Sequence, residues 1–302
     1  MLDSANSVVR QRPASVTVIV PVRDGAHTIG TQLDALQNQS YTGQFDILVS
    51  DNGSTDNLVE VLDRRKAGDR VRVNYVLADD IQGASHARNM GVRNATGEFL
   101  AFCDADDVVR KDWLHYLVLS AQHADLVSGS LDTSVINEPV QHSWRSFVPS
   151  EGLFETRFLP FAPGSNFGVW ADVVDALGGF DTSMRFGGED VDFSWRVCIG
   201  GWRLSHAALA VVDYRMRPTL AAFFSQVRRY AIGNVELYVG FRDYGFRRSS
   251  VRSTARFLLL IAASNPLVPQ RLSGTTHGEW VGYVAILVGH LQGSIRYRTL
   301  FL

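Results

Sequence analysis

The chain of 302 residues is poor in cysteine and contains no long apolar run. Cys103 and Cys198 lie in apolar surroundings without the spacing of metal ligands, which favours two reduced core thiols over a disulfide framework. No stretch approaches the ~20 apolar residues that a membrane-spanning helix needs. Residues 1–15 are polar and lack the apolar core of a secretory signal, so we expect a cytoplasmic protein.

Charge is nearly balanced overall, at a net −2, but it is unevenly distributed. Residues 1–215 hold 18 basic and 28 acidic side chains, whereas residues 216–302 hold 11 arginines and three acids. We therefore predict a flexible N-terminus over 1–14, an acidic domain over 15–215 and a basic helical extension over 216–302. Such an extension favours an anionic partner, either a phospholipid, a lipid phosphate or the acidic domain itself. No nucleic-acid partner is expected.

Apolar runs alternate with amphipathic segments along the first half of the chain. Strands are predicted over 16–22, 45–50, 71–77 and 98–103, and helices over 27–39, 56–67, 84–94 and 110–122. This alternation predicts an α/β fold with a mostly parallel sheet flanked by helices. The second half is predicted to hold proline-rich loops over 139–170, helices over 171–177 and 189–199, and a strand over 208–214. Ligands of such sheets bind beyond the carboxyl ends of the strands.

Three carboxylates, Asp104, Asp106 and Asp107, directly follow an apolar strand-like run. Carboxylates that lose their water without a partner are costly, so such a cluster favours a bound cation. The alternation Asp104-x-Asp106 suits Mg²⁺ or Mn²⁺, which take oxygen ligands and keep positions open for phosphate. The alternative is a polar turn that caps the helix beginning near Trp113. Asp107 is predicted to be a helix N-cap or to hold the metal ligands in place.

Several motifs accompany the aspartates. They are the first strand with Pro21, Asp51-Asn52-Gly53-Ser54-Thr55-Asp56, Ala87-Arg88-Asn89-x-Gly91, Phe102-Cys103-Asp104-Ala105-Asp106-Asp107, Gly178-Gly179-Phe180-Asp181 and Gly188-Glu189-Asp190-Val191-Asp192. With them, residues 15–240 resemble the inverting glycosyltransferases of family 2, which have the GT-A fold. The resemblance implies a metal-dependent enzyme that moves a single sugar from a nucleotide-diphosphate donor to a hydroxyl acceptor. It also implies a nucleotide-sugar half over 15–107 and an acceptor half over 108–215.

On the donor side, the resemblance assigns roles to four residues. Pro21 and Val22 would line the nucleotide-sugar site, Asp51 would accept a hydrogen bond from the base, and Arg88 would support the nucleotide. Each of the last two has a structural alternative. Asp51 could instead form an Asx-turn with the residues that follow it. Arg88 could instead pair with a neighbouring carboxylate.

The same resemblance implies the metal ligands and the base. Asp106 would bind Mn²⁺ or Mg²⁺ directly, and Asp104 would hold the ribose or reach the ion through water. Asp213 stands where some relatives carry a metal-binding His, and it could replace that ligand with oxygen. Asp190 would take the proton from the acceptor hydroxyl, with Glu189 as the substitute base. Alternatively, both acids could simply be favoured by the dipole of the helix that they begin.

Residues 226–230, Gln-Val-Arg-Arg-Tyr, resemble the Gln-x-x-Arg-Trp element of membrane-embedded processive synthases, with Tyr in place of Trp. That resemblance implies that Arg229 closes over the donor diphosphate. The alternative is an amphipathic helix whose apolar side chains at 220, 223, 224 and 227 pack inward.

The implied partners are a UDP-, GDP- or dTDP-sugar and a glycan or lipid-linked acceptor. Two apolar runs of the extension, 257–263 and 280–288, are too short to span a bilayer but long enough for helices lying on its surface. Arginines beside them favour peripheral contact with the cytosolic membrane face. The apolar faces could instead pack on the acidic domain or on a second copy in a homodimer.

Two other functions compete with sugar transfer. A sugar-1-phosphate nucleotidyltransferase shares a related sheet, but it normally carries a glycine-rich loop after its first strand, and residues 21–26 hold one glycine. A non-catalytic sugar-nucleotide-binding protein is the other candidate, and the retained acids Asp104, Asp106, Glu189 and Asp190 argue against it.

Overall fold

The computed structural model describes residues 9–64, 71–144 and 152–302. The chain divides into two compact units. The first holds the described residues of Met1–Asp132, Pro149–Ser183 and Glu189–Tyr214, and the second holds those of Thr133–Val148, Met184–Gly188 and Arg215–Leu302. Residues 1–8 of the predicted N-terminus, the predicted helix end at 65–67 and Pro149 lie outside the described residues.

The described part of the first unit is built on an eight-stranded sheet. Its strands are β1 (Ser15–Val22), β2 (Gln44–Asp51), β3 (Val73–Leu77), β4 (Phe99–Cys103), β5 (Val108–Val109), β6 (Leu126–Asp132), β7 (Asn166–Trp170) and β8 (Leu204–Asp213). The spatial order is β3-β2-β1-β4-β7-β6-β8-β5. The first four strands in this order are parallel, β6 and β8 are parallel, and β7 and β5 run antiparallel to their neighbours. The predicted mostly parallel α/β fold is confirmed.

Helices cover this sheet and form the second unit. They are α1 (Ile29–Gln37), α2 (Leu58–Asp63), α3 (Ala84–Asn94), α4 (Trp113–Ala121), α5 (Pro139–His142), α6 (Ala171–Leu177), α7 (Glu189–Ile199), α8 (Leu220–Phe241), α9 (Val251–Ala263), α10 (Gln270–Ser273) and α11 (His277–Arg296). The predicted helices over 84–94, 171–177 and 189–199 match α3, α6 and α7 at both ends.

β1 is a central strand because its residues suit burial on both faces. Val18, Ile19 and Val20 are fully buried, and burying each such side chain stabilises the fold by about 1.5–3 kcal/mol. Thr17 is the one hydroxyl residue within the apolar run. Its Oγ1 donates to Asp46 Oδ1 at 2.8 Å and accepts from the Gly97 amide at 3.0 Å, so the hydroxyl is satisfied inside the core.

The prediction of loops over 139–170 is wrong at two places. Pro139–His142 forms α5, and Asn166–Trp170 forms β7, all five of whose residues are buried. A five-residue segment that contains Asn and Gly has too little periodicity to be recognised as a strand, and the prolines before it indicated a loop. β7 lies antiparallel between β4 and β6, and its first residue, Asn166, pairs with Cys103 at the end of β4.

Polar strand ends meet at one edge of the sheet. The parallel register pairs Val22 with Asp51 and Ile19 with Phe102, so the carboxyl ends of β1, β2 and β4 lie on the same side, as predicted. Because β7 is antiparallel, its amino end reaches that edge as well. The loop before β7 therefore joins the residues that follow the other three strands.

In the second unit, α8 and α11 pack along each other through small residues. The buried residues of α11 are Gly278, Gly282, Ala285, Gly289 and Gly293. A Cβ at Gly289 would lie 2.4 Å from the carbonyl oxygen of Arg228, and one at Gly293 would lie 2.6 Å from Val235 Cγ2. This close approach buries one face of the predicted apolar run 280–288 inside the unit. Within the described ranges, no helix combines the length and apolarity needed to cross a membrane.

Candidate functional site

Three carboxylates cluster in the turn between β4 and β5. Asp104, Asp106 and Asp107 each offer one oxygen, and these oxygens lie within 4.8 Å of one another. The turn is held from α1, where Gln32 Nε2 donates to the Asp104 carbonyl oxygen and Gln32 Oε1 accepts from the Val109 amide, both at 3.0 Å. A set of three hard oxygen donors fits Mg²⁺ or Mn²⁺.

Asp107 does not cap a helix, so that prediction is wrong. The N-cap of α4 is Asp112, and Asp107 lies buried five residues earlier. Its position in the cluster agrees instead with the alternative that it supports the metal ligands, which stays a prediction.

Arg88 connects the cluster to the amino end of α7. Its Nη1 donates to Glu189 Oε1 at 2.7 Å, and its Nη2 lies 3.3 Å from Asp104 Oδ1 and 3.2 Å from the Gly164 carbonyl oxygen. Burial alone would lower the pKa of Arg88, but the carboxylates of Glu189, Asp104 and Asp190 raise it above its ordinary value. Arg88 therefore forms the predicted carboxylate pair, while its role toward a nucleotide stays a prediction.

Asp190 is held in the first turn of α7 by two backbone amides. Its Oδ2 accepts from Gly164 at 2.7 Å, and its Oδ1 accepts from Val191 at 2.9 Å. Burial and, next, the negative charge of Glu189 raise the pKa of Asp190 to about 6, against the lowering effect of Arg88 and the two amides. A carboxylate with this pKa is ionised at neutral pH and is more basic than an ordinary aspartate.

Asp51 lies buried at the end of β2, where both carboxylate oxygens are held. Oδ1 accepts from the Ser54 amide at 2.8 Å, three residues on and so one residue beyond the amide that closes an Asx-turn, and Oδ2 accepts from the Tyr75 hydroxyl at 2.9 Å. Burial and the contact with Asp51 raise the pKa of Tyr75 to about 12, so the hydroxyl stays a donor at neutral pH. Sequence reasoning missed Tyr75, because a tyrosine in an edge strand is ordinary.

Pro21 and Val22 end β1 beside β2, where Val22 is paired with Asp51. The loops after these two strands are tied together. Asp24 Oδ1 accepts from the Thr55 amide and the Ala26 amide donates to Asp56 Oδ2, both at 2.8 Å. Pro21, Val22 and Asp51 therefore lie along one edge of the sheet.

Two motif residues beside Arg88 have structural roles that the sequence did not reveal. Asn89 Nδ2 donates to the Phe180 carbonyl oxygen, and Asn89 Oδ1 accepts from the Phe180 amide, both at 2.8 Å. A Cβ at Gly91 would lie 2.4 Å from Ile19 Cγ2, so only glycine lets α3 pack this close to β1. These contacts fix α3, and with it Arg88.

Two predicted site residues, Asp213 and Arg229, are not among the contacts described above. Asp213 Oδ1 accepts from Arg110 Nε at 3.0 Å and from Nη2 at 2.7 Å, and within the described ranges Asp213 is not part of the three-aspartate cluster. Arg229 is exposed on α8 of the second unit. On the same helix, Gln226 Nε2 donates to the Tyr230 hydroxyl at 3.2 Å. The roles of Asp213 toward a metal and of Arg229 toward a diphosphate stay predictions.

Two family models match the chain. The model of glycosyl transferase family 2 matches residues 17–178, and that of glycosyl transferase family group 2 matches residues 99–302. The first match covers the three-aspartate turn and α3, and the second extends over α7 and the second unit.

Two curated relatives are similar in sequence. Glycosyltransferase AglE of Haloferax volcanii is 29% identical over 264 residues, which cover 85% of this chain and 84% of that protein. The pre-mycofactocin glycosyltransferase of Mycobacterium tuberculosis is 27% identical over 259 residues, which cover 76% of this chain and 50% of that protein. The match to the second relative thus spans half of its length.

Solved structures share the fold. The mannosyltransferase PcManGT from Pyrobaculum calidifontis, in complex with GDP-Man and Mn²⁺, has a TM-score of 0.66 at 20% identity over 93% of this chain and 88% of that chain. TarS 1–349 of S. aureus in complex with UDP has a TM-score of 0.54 at 16% identity over 94% of this chain and 92% of that chain. The expected GT-A architecture is confirmed.

Proposed function

We propose that this chain, which belongs to glycosyl transferase family 2, transfers a single sugar from a nucleotide-diphosphate donor to a hydroxyl acceptor with inversion at the anomeric carbon. One observation carries the proposal. Arg88 contacts both Asp104 of the three-aspartate cluster and Glu189 beside Asp190. A site suited to a metal and diphosphate is thereby joined to a candidate base, which is the pair of functions that sugar transfer requires.

The donor set of the cluster supports metal dependence. Asp106 and Asp104 would hold Mg²⁺ or Mn²⁺, and Asp107 would hold these two ligands in place. Bound there, the ion would neutralise diphosphate oxygens as the glycosidic bond breaks. Asp213 is paired with Arg110 and is not part of the three-aspartate cluster in the described residues, so we propose it only as a secondary ligand.

The donor is proposed to be a UDP-, GDP- or dTDP-sugar. Support comes from the solved structures of similar fold, which contain GDP-Man, UDP and UDP-GlcNAc. In this chain Pro21 and Val22 would line the nucleotide site, and the Asp51 carboxylate would accept from an N–H of the base. Tyr75 and the Ser54 amide hold that carboxylate in place.

Asp190 is proposed as the general base rather than Glu189. Glu189 Oε1 accepts a hydrogen bond from Arg88 Nη1 at 2.7 Å, so this side chain is already engaged in an ion pair. Asp190 has the raised pKa that general-base catalysis near neutral pH favours. It would take the proton of the acceptor hydroxyl as the oxygen attacks the anomeric carbon opposite the diphosphate, and this single displacement inverts the configuration.

The acceptor is proposed to be a glycan or a lipid-linked sugar reached from the cytoplasm. Residues 216–302, with 11 arginines and three acids, support peripheral contact with an anionic membrane. Arg229 is proposed to contribute charge toward the donor diphosphate.

A two-step experiment tests the proposed activity. Melting is first measured with UDP, GDP or dTDP, each with and without Mn²⁺. We expect one nucleotide to raise Tm only together with the metal. The matching sugar donors are then incubated with the enzyme, and release of the nucleoside diphosphate and the anomeric configuration of the product are followed by NMR.

The possible outcomes separate the three functions. Release of a nucleoside diphosphate and an inverted sugar supports transfer. Pyrophosphate-dependent formation of a nucleoside triphosphate would show a nucleotidyltransferase instead. Nucleotide binding without turnover on any donor would show a binding protein, and transfer at the full rate in excess chelator would contradict metal dependence.

A further inference from the structure

The helix α9 has an unusual surface for a helix in a compact unit. None of its thirteen residues, all of them described, is buried. It is nevertheless anchored on one side, because the Phe257 ring contacts Tyr283 at 6.1 Å between centroids and Trp280 Nε1 donates to the Ile261 carbonyl oxygen at 3.0 Å. The opposite side of α9 is exposed to solvent.

That outward side is apolar toward its carboxyl end. Leu259 lies nearly opposite Phe257 and Ile261 around the helix and is 69% exposed. The exposure continues beyond α9, where Leu267 is 93% exposed and Leu272 on α10 is 81% exposed. Three large apolar side chains within fourteen residues are thus mostly exposed to solvent.

Arginines accompany these leucines, and acids do not. Arg252 and Arg256 are four residues apart on α9 and lie on the same side as Leu259. Arg247, Arg248 and Arg271 flank the helix, and all five arginines are exposed. No acidic residue occurs between Asp243 and Glu279.

The other apolar run of the extension behaves differently. α11 buries its stripe of small residues against α8. The two apolar runs, which are alike in the sequence, are therefore distinguished by the structure. Only that of α9 keeps an outward face that the unit does not use.

We propose that α9 and α10 form a docking surface for an anionic phospholipid bilayer, with Leu259, Leu267 and Leu272 entering the boundary of the acyl chains and the five arginines contacting lipid phosphates. We call these eight residues the α9–α10 surface. It narrows the membrane contact proposed for residues 216–302 to these exposed residues of α9, α10 and their flanking segments, and it does not depend on sugar transfer being the activity. A helix of thirteen residues is about 20 Å long, which suits lying in the interface rather than crossing ~30 Å of hydrocarbon.

Charge favours a bilayer over a second copy of the chain. A two-fold contact through this surface would place five arginines of one copy against the same five of the other. With no acid in the segment, such a contact would be repulsive. Lipid phosphates offer the complementary charge, and acyl chains offer an apolar phase for the leucines.

Flotation of the full chain with vesicles tests the proposal. The vesicles are phosphatidylcholine alone, or phosphatidylcholine with one third phosphatidylglycerol. We expect binding only to the anionic vesicles, weakened by salt. Arg252→Gln with Arg256→Gln should weaken that binding by roughly 25-fold, because each arginine near an anionic surface contributes about fivefold. Leu259→Ser with Leu267→Ser should weaken it at least about tenfold.

Matched controls lie on the first unit. Arg93→Gln and Leu209→Ser change an exposed arginine and an exposed leucine there, and they should bind vesicles as the wild type does. All variants should keep the wild-type Tm, since the replaced side chains are exposed. Free phosphate at millimolar concentration should not compete, which distinguishes a lipid surface from a site for a single phosphate.

Three results would overturn the proposal. One is that the wild type fails to float with anionic vesicles at low salt. Another is that the paired arginine and leucine variants bind as tightly as the controls. The third is that light scattering shows a dimer that Leu259→Ser converts to a monomer, because the surface would then be covered by a second copy.

Discussion

Arg88 Nη1 donates to Glu189 Oε1 at 2.7 Å, although the two residues are 101 positions apart in the chain. The contact joins α3 to the first turn of α7, and the other amine of the same guanidinium reaches Asp104 Oδ1 at 3.3 Å. One buried cation thus compensates carboxylates from both sides of the proposed site. Its position makes the geometry of the acids dependent on a residue that need not touch the donor.

Arg88→Lys is expected to be severe although it keeps the charge. An ammonium cannot reproduce the fork that reaches Glu189, Asp104 and the Gly164 carbonyl oxygen together. Removing one partner of a buried ion pair costs about 3–5 kcal/mol of stability. Because Lys keeps the charge, we expect the free energy of unfolding to fall by an amount near the lower end of this range, measured by urea unfolding. Arg93→Lys, on the exposed side of the same helix, should be neutral. An equally small effect of both would show that the network contributes little.

Asp190→Asn should separate binding from chemistry. The variant keeps the shape and loses the basicity, so Mn²⁺-dependent nucleotide affinity should persist while transfer falls by about 10²–10⁴-fold. Glu189→Gln is the matched control, and its loss of transfer should be smaller. A loss under about tenfold in Asp190→Asn would count against Asp190 as the base.

The pH dependence of the wild type should report the same group. Because the pKa of Asp190 is raised to about 6, kcat/KM should fall as the pH drops through 6 and protonates the base. In Glu189→Gln one negative neighbour is gone, so the acid limb should move to lower pH. The raised pKa also means that ionising Asp190 costs folding stability. The free energy of unfolding of the wild type relative to Asp190→Asn should therefore decrease as pH rises from about 4 to above 6.

Asp106→Asn should abolish the Tm increase that nucleotide and Mn²⁺ produce together. Replacing one carboxylate by an amide removes the charge that a hard divalent ion prefers. Asp106 is only half-buried, so the Tm of the ligand-free protein should change little. Asp243→Asn, at an exposed acid of the second unit, serves as the control. Retention of the metal-dependent shift in Asp106→Asn would remove this residue from the metal site.

Tyr75→Phe tests how the base of the nucleotide is recognised. The substitution deletes the hydroxyl that donates to Asp51 Oδ2 and leaves the Ser54 amide on the other oxygen. Without the hydroxyl the Asp51 carboxylate is less well oriented, so nucleotide binding should weaken by at most roughly fivefold, the equivalent of one hydrogen bond of about 1 kcal/mol, and KM for the donor should rise with kcat unchanged. Titration calorimetry measures the nucleotide affinity of the wild type, of Tyr75→Phe and of the exposed control Tyr244→Phe. Equal affinity in all three would show that the Tyr75 hydroxyl is not needed to position Asp51 for the nucleotide base.

Asn89→Ala should destabilise the fold, although Asn89 itself hydrogen-bonds to the Phe180 backbone and not to the acids. It removes both hydrogen bonds to the Phe180 backbone and leaves a buried carbonyl and amide without this partner. We expect a loss of about 2–3 kcal/mol in the free energy of unfolding. Asn94→Ala on the exposed end of α3, where the amide donates only to the Met90 carbonyl oxygen, should cost far less. Similar costs for the two variants would argue against the Phe180 contact as the reason that Asn89 is needed.

Local pattern was sufficient for much of the fold. The β-branched run of β1, the apolar run of β4 and the amphipathic α3 each carry their own period, and their alternation implies parallel strands joined by crossovers. Parallel strands bring their carboxyl ends to one edge, so the sequence alone predicted that the residues after β1, β2 and β4 converge. The family motifs added the proposed roles of Asp51, Asp104, Asp106 and Asp190.

The features that the sequence could not predict depend on contacts between segments that are distant in the chain. No local period states that β7 inserts antiparallel between β4 and β6, yet this insertion brings the loop of Gly164 to Asp190. Burial and a charged neighbour, not residue type, set the pKa of Asp190. Likewise α9 and α11 read as similar apolar helices, and only packing decided that α11 is covered by α8 while α9 keeps its leucines exposed. Tertiary structure decides these matters because desolvation and pairing are properties of what surrounds a side chain.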